Sequence, residues 1–589
     1  MQRNCNFSFH TRVSQRSLAH CRGEKAEKGK KAGKRLAVWP WFHPFLVTSQ
    51  APTPVKIKGG KPMKFTRVLA LALALVLLCS SFALAETFPL VTEPTTLTVM
   101  AQVGSYYPEQ KLDNVHGLKK YEEMTGVHIE WDNVNSSVFS DTLNAKIADN
   151  KEKLPDIILR GKIGNDKLAA WGEEGIIVDL RPYLEEYAPN FWKLFQEEST
   201  ISGAIVGENG EIWGLPQVIL GAEMRTPTKL WLNKKAMDAI KMDDPKTLDD
   251  FVAVMKAIRE SDWNGNGEQD EITVIASVSN MHNYFYGSFG LRTRGAHHDV
   301  VDVDPETGAL RVYFQHENYR KYLEFMKMMY QEKLIYQEIF TEQDKQANVF
   351  NQTDRLSMLL NTIAPGDGGD NWYTVNWSLE GPDGFAFHTQ TRGAIHSTGN
   401  FVITCDCPEE KIPLALKWID YFYSEEGSAL ALIGVKDEDW EVKADGTRDW
   451  TDAAKATRTA DMSNDAFRAQ FGMWPGGGVP ACFFSNLLDA EYGPIPSACA
   501  QALLKDYAPK KIWPIITFTK DESEIVSTVG TDINEFAKNF AAQVMTGEKE
   551  LNDATWAEFQ AEITKMQPEK LIEAYRTALT RVYGEGAEF

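Results

Sequence analysis

An α/β fold is the class this sequence predicts. Two observations carry it. Short apolar runs alternate with amphipathic segments between residues 96 and 180, and the same alternation resumes beyond residue 230. The 589 residues, 43% hydrophobic and 24% charged, suffice for a large core and for two or more folding units. No internal repeat is visible.

The elements follow in order. Thr96–Ala101 reads as a short strand, and the helix after it ends near Gly126. Val127–Trp131 is a second strand, Ser140–Asp149 a helix, and Leu154–Leu159 a buried strand. Strand, helix, strand, helix, strand implies a parallel sheet with helices on both faces. Glu211–Phe251 holds the break Gly214-Leu215-Pro216, an apolar run Val218–Leu220, a polar segment Glu223–Lys229 and a second apolar run Leu230–Leu232. A helix is expected from about Asn233. Another spans Thr247–Glu260, where Thr247 and Asp250 fit a capping box. Strands are expected at Ile272–Ser277, Leu356–Leu360 and Asn400–Thr404, and an amphipathic helix at Asn318–Glu332. Two helices follow Cys407, the first carrying Trp418 as a core residue, and Glu522–Tyr583 is mostly helical.

The first 85 residues stand apart. Met63–Ala85 has a basic start (Lys64, Arg67), an apolar run Val68–Leu78 and a small-x-small end at Ala83-Leu84-Ala85, the pattern of a cleaved export signal. Cleavage leaves Glu86 first. Leu78, where a lipoprotein signal needs a small residue, disfavours a lipid anchor at Cys79. Residues 1–62 are basic and without apolar periodicity, and read as a mis-called start or as disorder. Residues 1–85 carry 15 Lys and Arg against 2 Asp and Glu, which leaves 47 basic and 80 acidic residues after them, a net of −33. That balance argues against nucleic acid and anionic membrane as partners.

Three blocks resemble the extracellular solute-binding proteins of ABC importers for sugars and oligosaccharides, family 1, in particular the alginate-binding and LplA-type lipoprotein receptors. They are Leu154-Pro155-Asp156-Ile157-Ile158-Leu159 with Gly175–Leu180 downstream, the Leu215–Phe251 crossing, and Cys407–Leu432 with Tyr423-Ser424-Glu425-Glu426-Gly427. The resemblance covers about residues 86–589. It implies a two-lobed, periplasmic-binding-protein-like fold with a central ligand cleft and hinge crossings near Glu223–Lys229 and Ile395–Phe401. The first lobe is then 86–225 plus 400–470 and the second 226–399 plus 471–589. It further implies an exported monomer that captures a carbohydrate and hands it to membrane permease subunits, with no enzymatic step. A secreted glycoside hydrolase or lyase is the competing class.

Asp262-Trp263-Asn264-Gly265-Asn266-Gly267-Glu268-Gln269-Asp270-Glu271 places oxygen side chains at alternate positions, with glycine sixth. Calcium takes six to eight oxygens in such a loop. Asp262, Asn264, Asn266 and Asp270 would bind through side chains, Glu268 through its carbonyl, and Glu271 as the closing carboxylate. The twelfth position is Thr273 rather than Glu, and a strand follows instead of a second helix. The loop is similar to that of the alginate-binding receptors, and a structural Ca2+ is the cofactor it implies.

Sugar rings present apolar C–H faces to Trp and Tyr, while amides and charged groups bond their hydroxyls. Fourteen of the sixteen Trp follow residue 85. Candidates in loops after predicted strands are Tyr106, Tyr107, Arg160, Trp171, Trp213, Arg225, Asn280, Tyr284, Trp372, Trp377 and Trp474. Trp372 and Trp474, in Gly-rich loops, are the leading stacking platforms, and Arg160 and Arg225 would neutralise an acidic sugar. Neither a Gly-x-Ser-x-Gly nor a Walker loop is present. His297-His298 lacks zinc-enzyme spacing and reads as loop surface. A Cys482–Cys499 disulfide and free buried thiols stay equally open.

Overall fold

Two sheets organise the chain. The computed structural model describes residues 88–589, apart from 150–152, 341–342, 366–370, 460–461, 486–493 and 587. The basic leader, the export signal and Cys79 lie outside the described residues. The first sheet takes β1 (Thr95–Val103), β2 (Val127–Asn135), β3 (Ile157–Leu159) and β4 (Leu215–Ile219). The second takes β5 (Lys229–Asn233), flanked by two later strands. β6 (Val301–Val303) and β7 (Leu310–Val312) form a separate hairpin. β8 is Met358–Asn361 and β9 is Trp372–Thr374. The first sheet is completed by β10 (Ile395–Ile403) and β13 (Cys482–Phe483), with the hairpin β11 (Trp440–Val442) and β12 (Arg448–Trp450) between them in sequence.

The first sheet runs β13-β4-β10-β3-β1-β2. β1 pairs in parallel with β2 and β3, as the strand–helix alternation predicts, and β10 is antiparallel to both β3 and β4. Ile157, Ile158 and Leu159 are fully buried, which is why this strand is an uninterrupted apolar run rather than an alternation. The second sheet, β8-β5-β9, is antiparallel. Residues 272–277 join its edge only through single bridges, Ile272 to Leu356 and Ile275 to Leu359, instead of the full strand expected there.

Helix ends match their chemistry. Thr247 accepts from the Asp250 backbone N–H at 3.0 Å while the Asp250 carboxylate accepts from Thr247 N–H at 3.0 Å, the reciprocal cap of helix Leu248–Arg259. The apolar stripe of Glu317–Gln331 buries Tyr319, Tyr322, Leu323, Met326 and Met329 in the second lobe's core. Trp418 is 1% exposed in the first lobe, beside Tyr121 and Phe422.

The crossings lie side by side. Arg392 N–H donates to the Arg225 carbonyl at 2.8 Å, and Arg225 Nε returns a bond to the Arg392 carbonyl at 3.0 Å. Two boundaries differ from expectation. β10 already pairs with Val218 at Ile395, so residues 395–399 belong to the first lobe. Met473 N–H bonds Ala431 at 2.7 Å, and β13 is an edge strand of the first sheet, so residues 471–483 belong to the first lobe. By Cys499, whose Sγ contacts the Val375 carbonyl at 3.1 Å, the chain lies against the second sheet. Cys407, Cys482 and Cys499 are free thiols.

Candidate functional site

In an open α/β sheet, ligand sits beyond the carboxyl ends of the strands. Four of the expected residues meet there. β1 leads to Tyr106 and Tyr107, β3 to Arg160, and a loop from Trp474 to Gly478 lies across both. Arg160 takes φ +60 and is 2% exposed. Its Nη1 donates to the Tyr107 hydroxyl at 2.6 Å, and its Nη2 to the carbonyls of Pro475 at 2.5 Å and Gly477 at 3.0 Å. The Tyr107 hydroxyl donates to Pro475 at 3.0 Å, and burial pushes this phenol up to about 12 against the pull of Arg160. Lys162 Nζ bonds the Gly476 carbonyl, and Gln217 Oε1 accepts from Gly478 N–H at 2.7 Å. Gly476, Gly477 and Gly478 have φ of +82, +63 and +71, and a Cβ on Gly476 would stand 1.8 Å from the Tyr106 hydroxyl. Only glycine tolerates both demands.

This geometry corrects two expectations. Arg160 is held by protein acceptors and is not free to neutralise a sugar acid. Trp474 is 8% exposed, edge-on to Phe483 at 5.1 Å and covered by the Arg468 guanidinium at 5.6 Å, so it is a packed wall rather than an open platform. Tyr106, half-buried and tilted 47° against Tyr107, keeps a partly exposed ring.

The other aromatics divide by burial. Trp372 is 3% exposed within the second lobe's core, its indole N–H on Asn351 at 2.9 Å. It lies in β9, and β-pairing with Asn233 takes it out of the Gly-rich loop that made it a platform candidate. Trp171, on helix Asn165–Glu173, is 7% exposed with Lys167 over its face at 4.7 Å. Trp377 is anchored through its N–H to Pro245 at 2.8 Å. Tyr284 is buried with its hydroxyl unpartnered, and burial raises its pKa. Asn280 is half-buried, with Nδ2 3.4 Å from the Leu360 carbonyl. Trp213 remains half-exposed and lines a groove of about 1110 Å³. Asp166, Lys167 and Ala170 of the first lobe face Thr517, Lys520 and Arg581 of the C-terminal segment across it. That volume is at the top of the range for small-molecule sites.

The sequence reading passed over a polar cluster beside the crossings: Lys162, His297, Arg392 and His396. Ala296 N–H bonds Thr391 at 2.9 Å, which brings His297 beside Arg392. His396 is the second residue of β10, and Ile163 N–H bonds Gly399 of that strand at 3.3 Å. His297 is not loop surface, since its Nε2 is buried, and His298 is 6% exposed with Nε2 against the Pro514 carbonyl at 2.9 Å. The available signal was position, because His396 falls inside the expected crossing Ile395–Phe401.

The loop Asp262–Glu271 folds on itself. Asp262 Oδ1 accepts from Asn266 N–H at 3.0 Å and Oδ2 from Gly267 N–H at 2.9 Å. Asn266 Oδ1 accepts from Glu268 N–H at 2.7 Å, and Asp270 receives Asn266 Nδ2 at 3.1 Å and Asn264 Nδ2 at 3.4 Å. Arg355 Nε sits 2.7 Å from Asp270. Both Glu271 carboxylate oxygens are buried without a well-formed hydrogen bond. Burial first, then Asp270 and Asp262, raise its pKa against partial support from nearby backbone N–H groups. Among the described residues no three His, Cys, Asp or Glu side chains converge on one point, so a cation here would depend on the amide oxygens too. The donor set, all hard oxygen, with an orphaned carboxylate at its end, fits calcium.

A family model for the bacterial extracellular solute-binding proteins matches residues 105–429. The fructooligosaccharide ABC transporter substrate-binding protein FusA of Streptococcus pneumoniae is 24% identical over 502 residues, 81% of this chain and 89% of that protein. Lipoprotein LipO of Bacillus subtilis is 27% identical over 375 residues, 59% of this chain and 68% of that protein. The solved structure of S. pneumoniae FusA in complex with kestose superposes with a TM-score of 0.62 at 20% identity, covering 82% of this chain and 98% of that one. The family match spans more than half of the chain, on two lobes joined by paired crossings, and this protein belongs to the bacterial extracellular solute-binding proteins.

Proposed function

We propose that the protein captures an oligosaccharide between its lobes and delivers it to the permease of an ABC importer, without breaking a bond. The observation that carries this reading is the match, over most of both chains, to a substrate-binding protein that holds kestose. The site chemistry supports it. Tyr106 and Trp213 keep partly exposed rings, suited to the C–H faces of sugars. The paired crossings at Arg225 and Arg392 supply a hinge. Ligand favours the closed state through contacts that the open state lacks. A thermal-shift screen against a glycan library, followed by product analysis of each hit, tests the reading. A hit recovered intact supports it; turnover of the hit would move the protein to the enzymes.

Calcium is the second part of the proposal. Asp262, Asn264, Asn266, Asp270 and Glu271 side chains and the Glu268 carbonyl would hold it, and it would supply a structural clamp between the helix Leu248–Arg259 and residues 272–277. A ligand that binds only the folded chain raises its stability. The melting temperature with calcium should exceed that in EDTA, and Asp262→Ala with Asp270→Ala should abolish the difference. An EDTA-insensitive wild type would count against the site. For export, N-terminal sequencing of secreted protein should begin at Glu86, whereas a start at a modified Cys79 would establish a lipid anchor.

A further inference from the structure

We propose that the saccharide this protein takes is acidic, with a carboxylate received by Arg392 at the floor of the cleft, beside Lys162, His297 and His396. The inference rests on the oligosaccharide reading above and narrows it to one substrate class.

Three observations carry it. First, the Arg392 guanidinium is half-buried and has neither a hydrogen bond nor an ion pair among the described residues; only its backbone is engaged, with Arg225. Burial lowers its pKa, and Arg292 adds to that. A half-buried, unpartnered guanidinium is costly, and a planar carboxylate matches its fork. Second, the neighbours are of one sign. The cations felt most strongly by His396 are Arg392 and Lys162, and those felt by His297 are Arg392 and Arg292. Burial and these cations hold His297 down to about 3 and His396 to about 4. Both imidazoles are therefore neutral hydrogen-bonding groups at neutral pH, and the His297 Nε2 is buried without a partner. Third, no carboxylate is among the groups that shift Arg392; Arg292, which does, is itself paired with Asp299. In a chain whose net charge after residue 85 is −33, an unneutralised guanidinium beside the paired crossings is the exception.

The test is calorimetry on the mature chain with matched probes: trigalacturonate and trimannuronate against galactotriose and mannotriose, at low and moderate salt. The acidic members should bind more tightly than their neutral counterparts and weaken as salt rises. Arg392→Gln should lose about tenfold or more for the acidic probes, as expected for a charge-assisted bond. Its melting temperature should stay unchanged. Neutral trisaccharides binding as tightly as the acidic ones, or an Arg392→Gln variant with undiminished affinity for trigalacturonate, would overturn the inference while leaving the oligosaccharide reading intact. If none of the four probes binds and the glycan screen is also blank, the oligosaccharide reading itself falls, and the inference with it.

Discussion

Two arginines near the cleft have opposite fates. Arg160 is committed to the Tyr107 hydroxyl and to the carbonyls of Pro475 and Gly477, whereas the Arg392 guanidinium has no partner among the described residues. The first is a strut that locks the Trp474–Gly478 loop onto the strand ends. The second is an unmet donor array beside the hinge. Residue type is the same at both positions, and what separates scaffold from recognition group is the set of acceptors that folding brings to each. The loop at 262–271 repeats the lesson with opposite charge: Asp262 is met by backbone N–H groups at 3.0 and 2.9 Å, while the buried carboxylate oxygens of Glu271 have no well-formed hydrogen bond.

Mutations break this comparison in order of size. Trp372→Ala removes a core side chain of the second sheet and should cost about 3–5 kcal/mol in chemical denaturation. A loss of ligand affinity with unchanged stability would instead restore Trp372 as a platform. Arg160→Met leaves the Gly477 carbonyl without its donor and takes one of two donors from the Pro475 carbonyl, which keeps the Tyr107 hydroxyl, and should cost about 2–3 kcal/mol, at roughly 1–3 kcal/mol for each unmet polar group. Gly478→Ala, at φ +71 with a Cβ 2.8 Å from the Lys162 side chain, should cost about 1–2 kcal/mol. By contrast, Arg392→Gln should stay within about 0.5 kcal/mol of wild type. If it destabilises as much as Arg160→Met, Arg392 is a second strut.

The loop gives a pH test whose sign is fixed. The Glu271 pKa is raised by burial and by Asp270 and Asp262, above its unfolded value. Its contribution to stability is therefore fully present below the unfolded carboxylate pKa and is lost as pH rises through the folded one. In EDTA, Glu271→Gln should remove that loss and raise the melting temperature at neutral pH. With calcium the sign should reverse, because the ionised carboxylate becomes a ligand. An identical response in both buffers would argue against a cation at this loop.

Much of the fold was legible because it is periodic. Ile157–Leu159, the second half of the expected Leu154–Leu159 run, and Val127–Trp131 are strands for the reason their patterns state, and Thr247 with Asp250 caps its helix as spaced. The site was less legible. Trp372 and Trp474 sit near glycines, which suggests exposure, but β-pairing buries the first and Phe483 with Arg468 covers the second. Partners that far apart in sequence leave no local trace. His297 and Arg392 likewise meet only through the Ala296–Thr391 bond, across nearly a hundred residues of intervening chain. The return to the second lobe, expected at residue 471, moved past Phe483 because a two-residue edge strand, Cys482–Phe483, is too short to announce itself.

The claim on which the account turns is that ligand bridges two lobes about the Arg225–Arg392 hinge. Small-angle scattering of the mature chain, with and without a saturating saccharide taken from the screen, addresses it directly. A smaller radius of gyration on saturation, with the sugar recovered unchanged, is the predicted result. An unchanged radius at full occupancy would contradict closure and place the ligand on one lobe alone.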